Sequence, residues 1–178
     1  MKTPKTFATK RNLAIVAFLL LFAMASQAQT PAEDAIKNVI IAETEHFLNA
    51  DFEAWSACFV QKPYLLWSVT NGAEVGDVIT YRGWEDFKSA MKTSWFDAKP
   101  DAWAKEMRKA KVTRYNWIIQ IRGKVAWASF TQRSETPQQM TETTETRVLE
   151  KQKGGWKMAQ QTTLTDFKDA VPPLRSGH

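Results

Sequence analysis

Glu43, His46 and Arg147 are the residues of this chain whose types and placement suit proton or charge chemistry. Glu43 lies on a segment where Ile36, Val39, Ile40, Glu43, Phe47 and Ala50 recur on one helical face. A carboxylate in the middle of an apolar stripe is either paired or functional, because burying an unpaired charge is costly. Desolvation there would raise its pKa and make it a general base or acid. The structural alternative is a partner for Arg147 or for a backbone donor. His46 stands at the edge of the same face, one turn away. It is either an acid/base partner for Glu43 or a half-exposed surface histidine. These two are the candidate catalytic residues.

Arg147 shares strand parity with Glu145 and Leu149. A core Leu149 puts Arg147 inward as well. An inward arginine neutralises Glu43 or Glu145, or holds a ligand carboxylate or enolate through its planar fork. On the neighbouring strand Trp127, Ser129 and Thr131 alternate with Ala126, Ala128 and Phe130. With the first set facing a pocket, it offers an aromatic wall and two hydroxyls. Phe130 then lies on the outer face, where a large apolar side chain marks a partner surface. Eight tryptophans are many for one domain. Trp67, Trp84, Trp117 and Trp127 are candidates for an aromatic cavity wall, with about half of the eight expected to be plain packing. The expected ligand-binding set is Glu43, Trp67, Trp117, Trp127, Ser129 and Arg147.

Other chemistries find little support. Cys58 is the single cysteine, so no intramolecular disulfide forms, and its apolar setting suits a small buried hydrophobe. His46 and His178 are the two histidines, and no Cys or His pair has metal-ligand spacing. No P-loop, dinucleotide-binding glycine motif or serine elbow occurs, and no cofactor is expected.

The N-terminus reads as a secretory signal peptide over residues 1–28. Lys2, Lys5, Lys10 and Arg11 precede an apolar run from Leu13 to Ala25, and Ser26-Gln27-Ala28 places cleavage before Gln29. The run is shorter than a bilayer span needs. Removing it takes away four basic residues and leaves 20 Lys+Arg against 19 Asp+Glu, a net charge of +1. The basicity of the whole chain therefore belongs to export and not to a nucleic-acid surface. The expected product is periplasmic or secreted and free of the membrane.

The remaining residues, about 150, are enough for one domain with a real core. It is expected over 29–168, with a frayed tail at 169–178. Ala35–Ala50 is a helix. Asp51 caps a second, shorter one that Pro63 stops. Tyr64–Ser68 and Val78–Arg82 are short strands, with a turn at Asn71-Gly72. Gly83 opens a third helix carrying Trp84, Phe87, Met91 and Trp95 on one face, and Lys99-Pro100-Asp101 ends it. The period then changes to two. Strands are expected at 111–122, 124–133, 141–151 and 156–167. Helices first and long antiparallel strands last make an α+β arrangement whose twisted sheet must curl.

Asp51-Phe52-Glu53-Ala54-Trp55, Tyr81-Arg82-Gly83-Trp84 and the hairpin Glu145-Thr146-Arg147…Gly155-Trp156 occur in that order. In this the chain resembles the nuclear transport factor 2-like superfamily, in particular its SnoaL-like bacterial branch. The hairpin also resembles the association domain of calcium/calmodulin-dependent kinase. The resemblance implies a cone of three N-terminal helices on a strongly curved antiparallel sheet, a pocket inside it and a homodimer through the outer sheet face. Relatives often carry His on the last strand. Here Gln160, Gln161, Thr162 and Thr163 stand there, and none titrates near neutral pH. Together with the signal peptide, the expectation is an exported domain that binds a small, mainly apolar organic molecule in that pocket. The alternatives are an isomerase, dehydratase or hydrolase using Glu43, and an assembly domain with a filled core.

Overall fold

A computed structural model of the chain describes residues 30–70, 78–98 and 100–165. The signal-peptide region, the Asn71-Gly72 turn and the C-terminal tail lie outside the described residues. The fold proper belongs to the compact unit that starts at Ala35.

Helix α1 spans Pro31–Leu48. Its start is a reciprocal cap: Glu33 N–H donates to Thr30 Oγ1 at 3.3 Å and Thr30 N–H to Glu33 Oε2 at 3.1 Å. Ile36, Ile40 and Glu43 are its buried residues, one face at helical spacing. Asp51 caps α2 (Phe52–Ser56) by accepting from Ala54 N–H at 3.1 Å. Strands β1 (Leu66–Thr70) and β2 (Val78–Arg82) follow. Gly83, at φ 86°, turns the chain into α3 (Trp84–Met91). A π-helical turn at Lys92–Phe96 continues α3.

One helix was not foreseen. Asp101 does not simply follow a helix end. It caps a further helix, α4 (Ala102–Met107), accepting from Ala104 N–H at 2.7 Å. The four long strands are β3 (Lys111–Arg122), β4 (Val125–Glu135), β5 (Met140–Gln152) and β6 (Gly155–Thr165). They fall within two residues of the expected bounds.

The six strands form one curved sheet in the order β2-β1-β6-β5-β4-β3, with β1 parallel to β6 and every other pair antiparallel. Ile36 and Ile40 of α1 share one core with Ala126, Ala128 and Phe130 of β4, Leu149 of β5 and Met158 of β6. The inner set on β4 is thus Ala126, Ala128 and Phe130, which reverses the expected parity. Phe130 is 2 % exposed and stacks on Trp117 with centroids 4.2 Å apart. Two alanines face inward on β4, in the same core as Ile36 and Ile40 of α1, and small side chains leave room for such packing.

A bulge on β3 completes the inner face. The register shifts between Tyr115 and Ile118, and Asn116 sits at φ 55°. The extra residue lets Arg114 before it and Trp117 after it both turn inward.

Candidate functional site

The register orders the inner face into rows across the sheet. Arg147 of β5 is level with Gln161 of β6 and Trp67 of β1. One step along, Glu145 is level with Thr163 and Val69. Next come Gln132 and Thr143, and then Ser134 and Thr141. These residues, with Glu43, Thr44, Phe47 and Leu48 of α1, Trp55, Phe87, Met91 and Met107, enclose a cavity of about 370 Å³. Its surface is mainly carbon. That volume lies in the range of small-molecule sites, roughly 300–1,000 Å³.

Polar groups gather at the deep end. Arg147 is 2 % and Glu145 0 % exposed, and Arg147 Nη1 donates to Glu145 Oε2 at 2.7 Å. The same nitrogen reaches the carbonyls of Thr146 and Thr162 at 3.0 and 3.3 Å. Thr143 Oγ1 donates to Glu145 Oε1 at 2.6 Å and Thr163 Oγ1 to Oε2 at 2.7 Å. Trp67 Nε1 and Arg147 Nη2 both present donors to the Gln161 amide, so its carbonyl faces them, at 3.1 and 3.2 Å. Both terminal nitrogens of Arg147 are therefore spent on the protein itself, while its buried Nε has no hydrogen-bond partner. The side chain fixes the floor and sets its field, and its Nη pair is not open to grip a ligand carboxylate end-on.

Glu43 is 6 % exposed and does face the cavity. Trp55 Nε1, a donor only, bonds its Oε1 at 2.9 Å. Its Oε2 lies 3.1 Å from Thr44 Oγ1, which accepts from Arg114 Nη2 at 2.6 Å and reaches the Ile40 carbonyl at 3.4 Å. Burial pushes the Glu43 pKa up, against the opposing pull of Arg147, the two hydrogen bonds and Arg114. The Thr44 hydroxyl thus stands between two acceptors, Glu43 Oε2 and the Ile40 carbonyl, while accepting from Arg114. The structure holds a carboxyl group with a raised pKa in a largely apolar wall, as a general acid or base requires.

Other expected residues are placed differently. His46 does not line the cavity, so it is not the proton partner of Glu43 there. Trp67 is on the wall as expected, level with Gln161. Trp117 is not: it packs on Phe130, with Lys37 Nζ 5.5 Å from its ring centroid. Trp127 and Ser129 have the parity opposite to the buried Ala126, Ala128 and Phe130 and lie on the outer face, Trp127 being 37 % exposed. Trp84 is core. The Cys58 thiol is buried and pushed up to about 11, mainly by burial, which makes it a poor nucleophile. Among the described residues no cluster of His, Cys, Asp or Glu could hold a metal ion, and no helix is long and apolar enough to cross a membrane.

Thr44, Trp55, Gln132, Thr143 and Thr163 are site residues beyond the expected set. The last three could have been found from the Glu145–Arg147 parity by reading across the strands. Trp55 as the partner of Glu43 had no local signal, because the pair is 12 residues apart and meets only through the helix turn at Asp51.

Residues 36–163 match the family model described as the SnoaL-like domain. No curated protein matches the chain. Among solved structures, it is similar to an NTF2-like protein of unknown function from Pseudomonas putida KT2440, with 12 % identity over 84 % of this chain and 99 % of that one and a TM-score of 0.60. It is also similar to the CaMKII hub of S. rosetta, with 18 % identity, 78 % and 99 % covered, and a TM-score of 0.54. A putative ketosteroid isomerase from Parabacteroides distasonis ATCC 8503 gives 16 % identity, 82 % and 92 % covered, and a TM-score of 0.52. At these identities the likeness concerns the fold.

Proposed function

The chain belongs to the SnoaL-like family, and on that footing we propose that it is an exported domain that binds a small, mainly apolar organic molecule in its cavity. The observation that carries the reading is the cavity of about 370 Å³, walled by carbon and floored by charged groups that hold one another, with Arg147 Nε and Gln132 Oε1 left without a partner. A filled core, as expected of an assembly domain, would leave no such space. The mutual pairing of the charged groups supports binding over turnover. Arg147 and Glu145 hold each other, and Glu43 is engaged by Trp55 and Thr44.

Titration calorimetry with 4-ethylphenol tests this. Saturable one-to-one binding is expected, and Val69→Trp, which fills the cavity, should abolish it. Equal heats for both proteins overturn the reading.

A second reading rests on Glu43. A buried carboxyl group with a raised pKa is a usable general acid or base, so proton-transfer chemistry on the bound molecule would run through it. Glu43→Gln should then keep ligand binding and lose turnover of that ligand.

The outer face of the sheet supports self-association. Ile118, Val125, Trp127 and Leu164 are exposed on outward positions of β3, β4 and β6. We place a homodimer interface there, with Trp127 in the part earlier given to Phe130.

A further inference from the structure

The cavity does not end at its rim. A groove of about 290 Å³ lies between α4 and the turn joining β4 to β5, lined by Ala102, Glu106, Met107, Thr136, Gln138 and Gln139. Met107 belongs to both linings. Its place follows from the register: Ser134 and Thr141 form the outermost row of the cavity wall, and Thr136–Gln139 is the turn just beyond them.

Despite its polar names, the groove presents mainly carbon. Thr136 Oγ1 is occupied by the backbone N–H groups of Gln138 and Gln139, at 3.3 and 3.2 Å, and approaches the Gln139 carbonyl at 3.3 Å. The Glu106 carboxylate pairs with Lys109 at 3.1 Å. Glu106 Oε2 is buried without a partner and is the groove's one such oxygen among the described residues. Around it stand the Thr136 and Ala102 methyls, the stems of Glu106 and the glutamines, and the Met107 thioether. Long polar side chains commonly cover apolar matter with such stems.

The length of the site points the same way. Arg147 at the floor and Thr141 at the rim are six residues apart on one strand, roughly 20 Å. A single ring cannot span that distance. An elongated molecule can, with an oxygen function at the floor near Glu43 and a chain passing outward.

We propose that cavity and groove are two compartments of one site, divided by the Met107 side chain, and that the ligand is a ring bearing an oxygen function with an alkyl chain that runs over Met107 into the groove. This rests on the cavity being a ligand site. Methionine suits the partition, because its unbranched chain has three soft torsions and a polarisable sulfur and adapts to irregular apolar matter. Met107 is half-buried on a short surface helix, so it can change shape without disturbing the core.

The test is a 4-alkylphenol series, from ethyl to nonyl, titrated into the wild-type protein and into Met107→Ala, Met107→Leu and Met107→Trp. Affinity should rise by about fourfold per methylene while the chain is being buried. Met107→Ala should raise the affinity ratio of 4-nonylphenol to 4-ethylphenol at least tenfold. Met107→Trp should lower that ratio below the wild-type value, and Met107→Leu should keep it. Should 4-ethylphenol bind all four proteins while the length dependence stays the same, the partition is overturned and the cavity reading stands. Absence of binding by every member, short or long, overturns both.

Discussion

The chemistry of the site depends on how two carboxyl groups are treated. Glu145 receives two threonine hydroxyls and an arginine, whereas Glu43 receives one indole N–H and a threonine in an apolar wall. Opposite consequences follow. For Glu43 the folded pKa is raised, so between the ordinary glutamate value and the folded value the native protein binds more protons than the unfolded chain. Stability should fall as pH rises through that window. Glutamine keeps the shape of the carboxyl group without its charge, its carbonyl accepting from Trp55 and its amide N–H facing Thr44 Oγ1. Glu43→Gln should therefore keep stability within about 1 kcal/mol at neutral pH and flatten the pH slope in urea unfolding. A loss of about 3 kcal/mol or more would mean instead that Glu43 is a charged partner of Arg147. For the other pair, Glu145→Gln or Arg147→Met leaves a buried charge unpaired. Each should cost about 3–5 kcal/mol in the same assay, and a cost below 1 kcal/mol would show that the pair is hydrated. Glu43 and Arg147 were legible in the sequence because an interrupted apolar stripe and strand parity reveal them, whereas Trp67 rested on the number of tryptophans alone. Trp127, Ser129 and Phe130 were misplaced because the inner face of β4 takes two alanines in the core shared with α1, so size misled the parity.

The elements position these residues through a few backbone devices. The bulge at Asn116 shifts the inward phase of β3, and sequence alternation alone does not reveal it, although asparagine tolerates positive φ better than most residues. The long strands, the first three helices and the turn at Gly83 were legible from period, caps and glycine. The fourth helix was missed although Asp101 is a good cap, because Pro100 beside it reads as a terminator. Gly83 offers the clearest test at this scale. It sits at φ 86°, and a Cβ there would lie 3.3 Å from the Pro63 carbonyl oxygen. Gly83→Ala should cost at least about 1 kcal/mol, read as a lowered urea midpoint with an unchanged m-value. An unchanged midpoint would show that the turn relaxes freely.

At the scale of the whole molecule the curved sheet has two faces with different tasks. The inner face makes the cavity. The outer face exposes Ile118 (56 %), Val125 (47 %) and Trp127 (37 %), more apolar surface than a solvated sheet face needs. Trp127→Glu should shift sedimentation toward the monomer without loss of fold. A wild-type protein that sediments as a monomer at micromolar concentration removes the dimer. Export should leave a mature chain starting at Gln29, which the intact mass of exported material decides. Its ligand is the larger question, since the fold accommodates binding and turnover alike. The most direct measurement is non-denaturing mass spectrometry of the mature protein, purified and then offered 4-ethylphenol. The cavity account predicts one small molecule per domain, carried through purification or taken up from solution, and lost in Val69→Trp. A bare polypeptide mass in both samples, identical for wild type and variant, would contradict it.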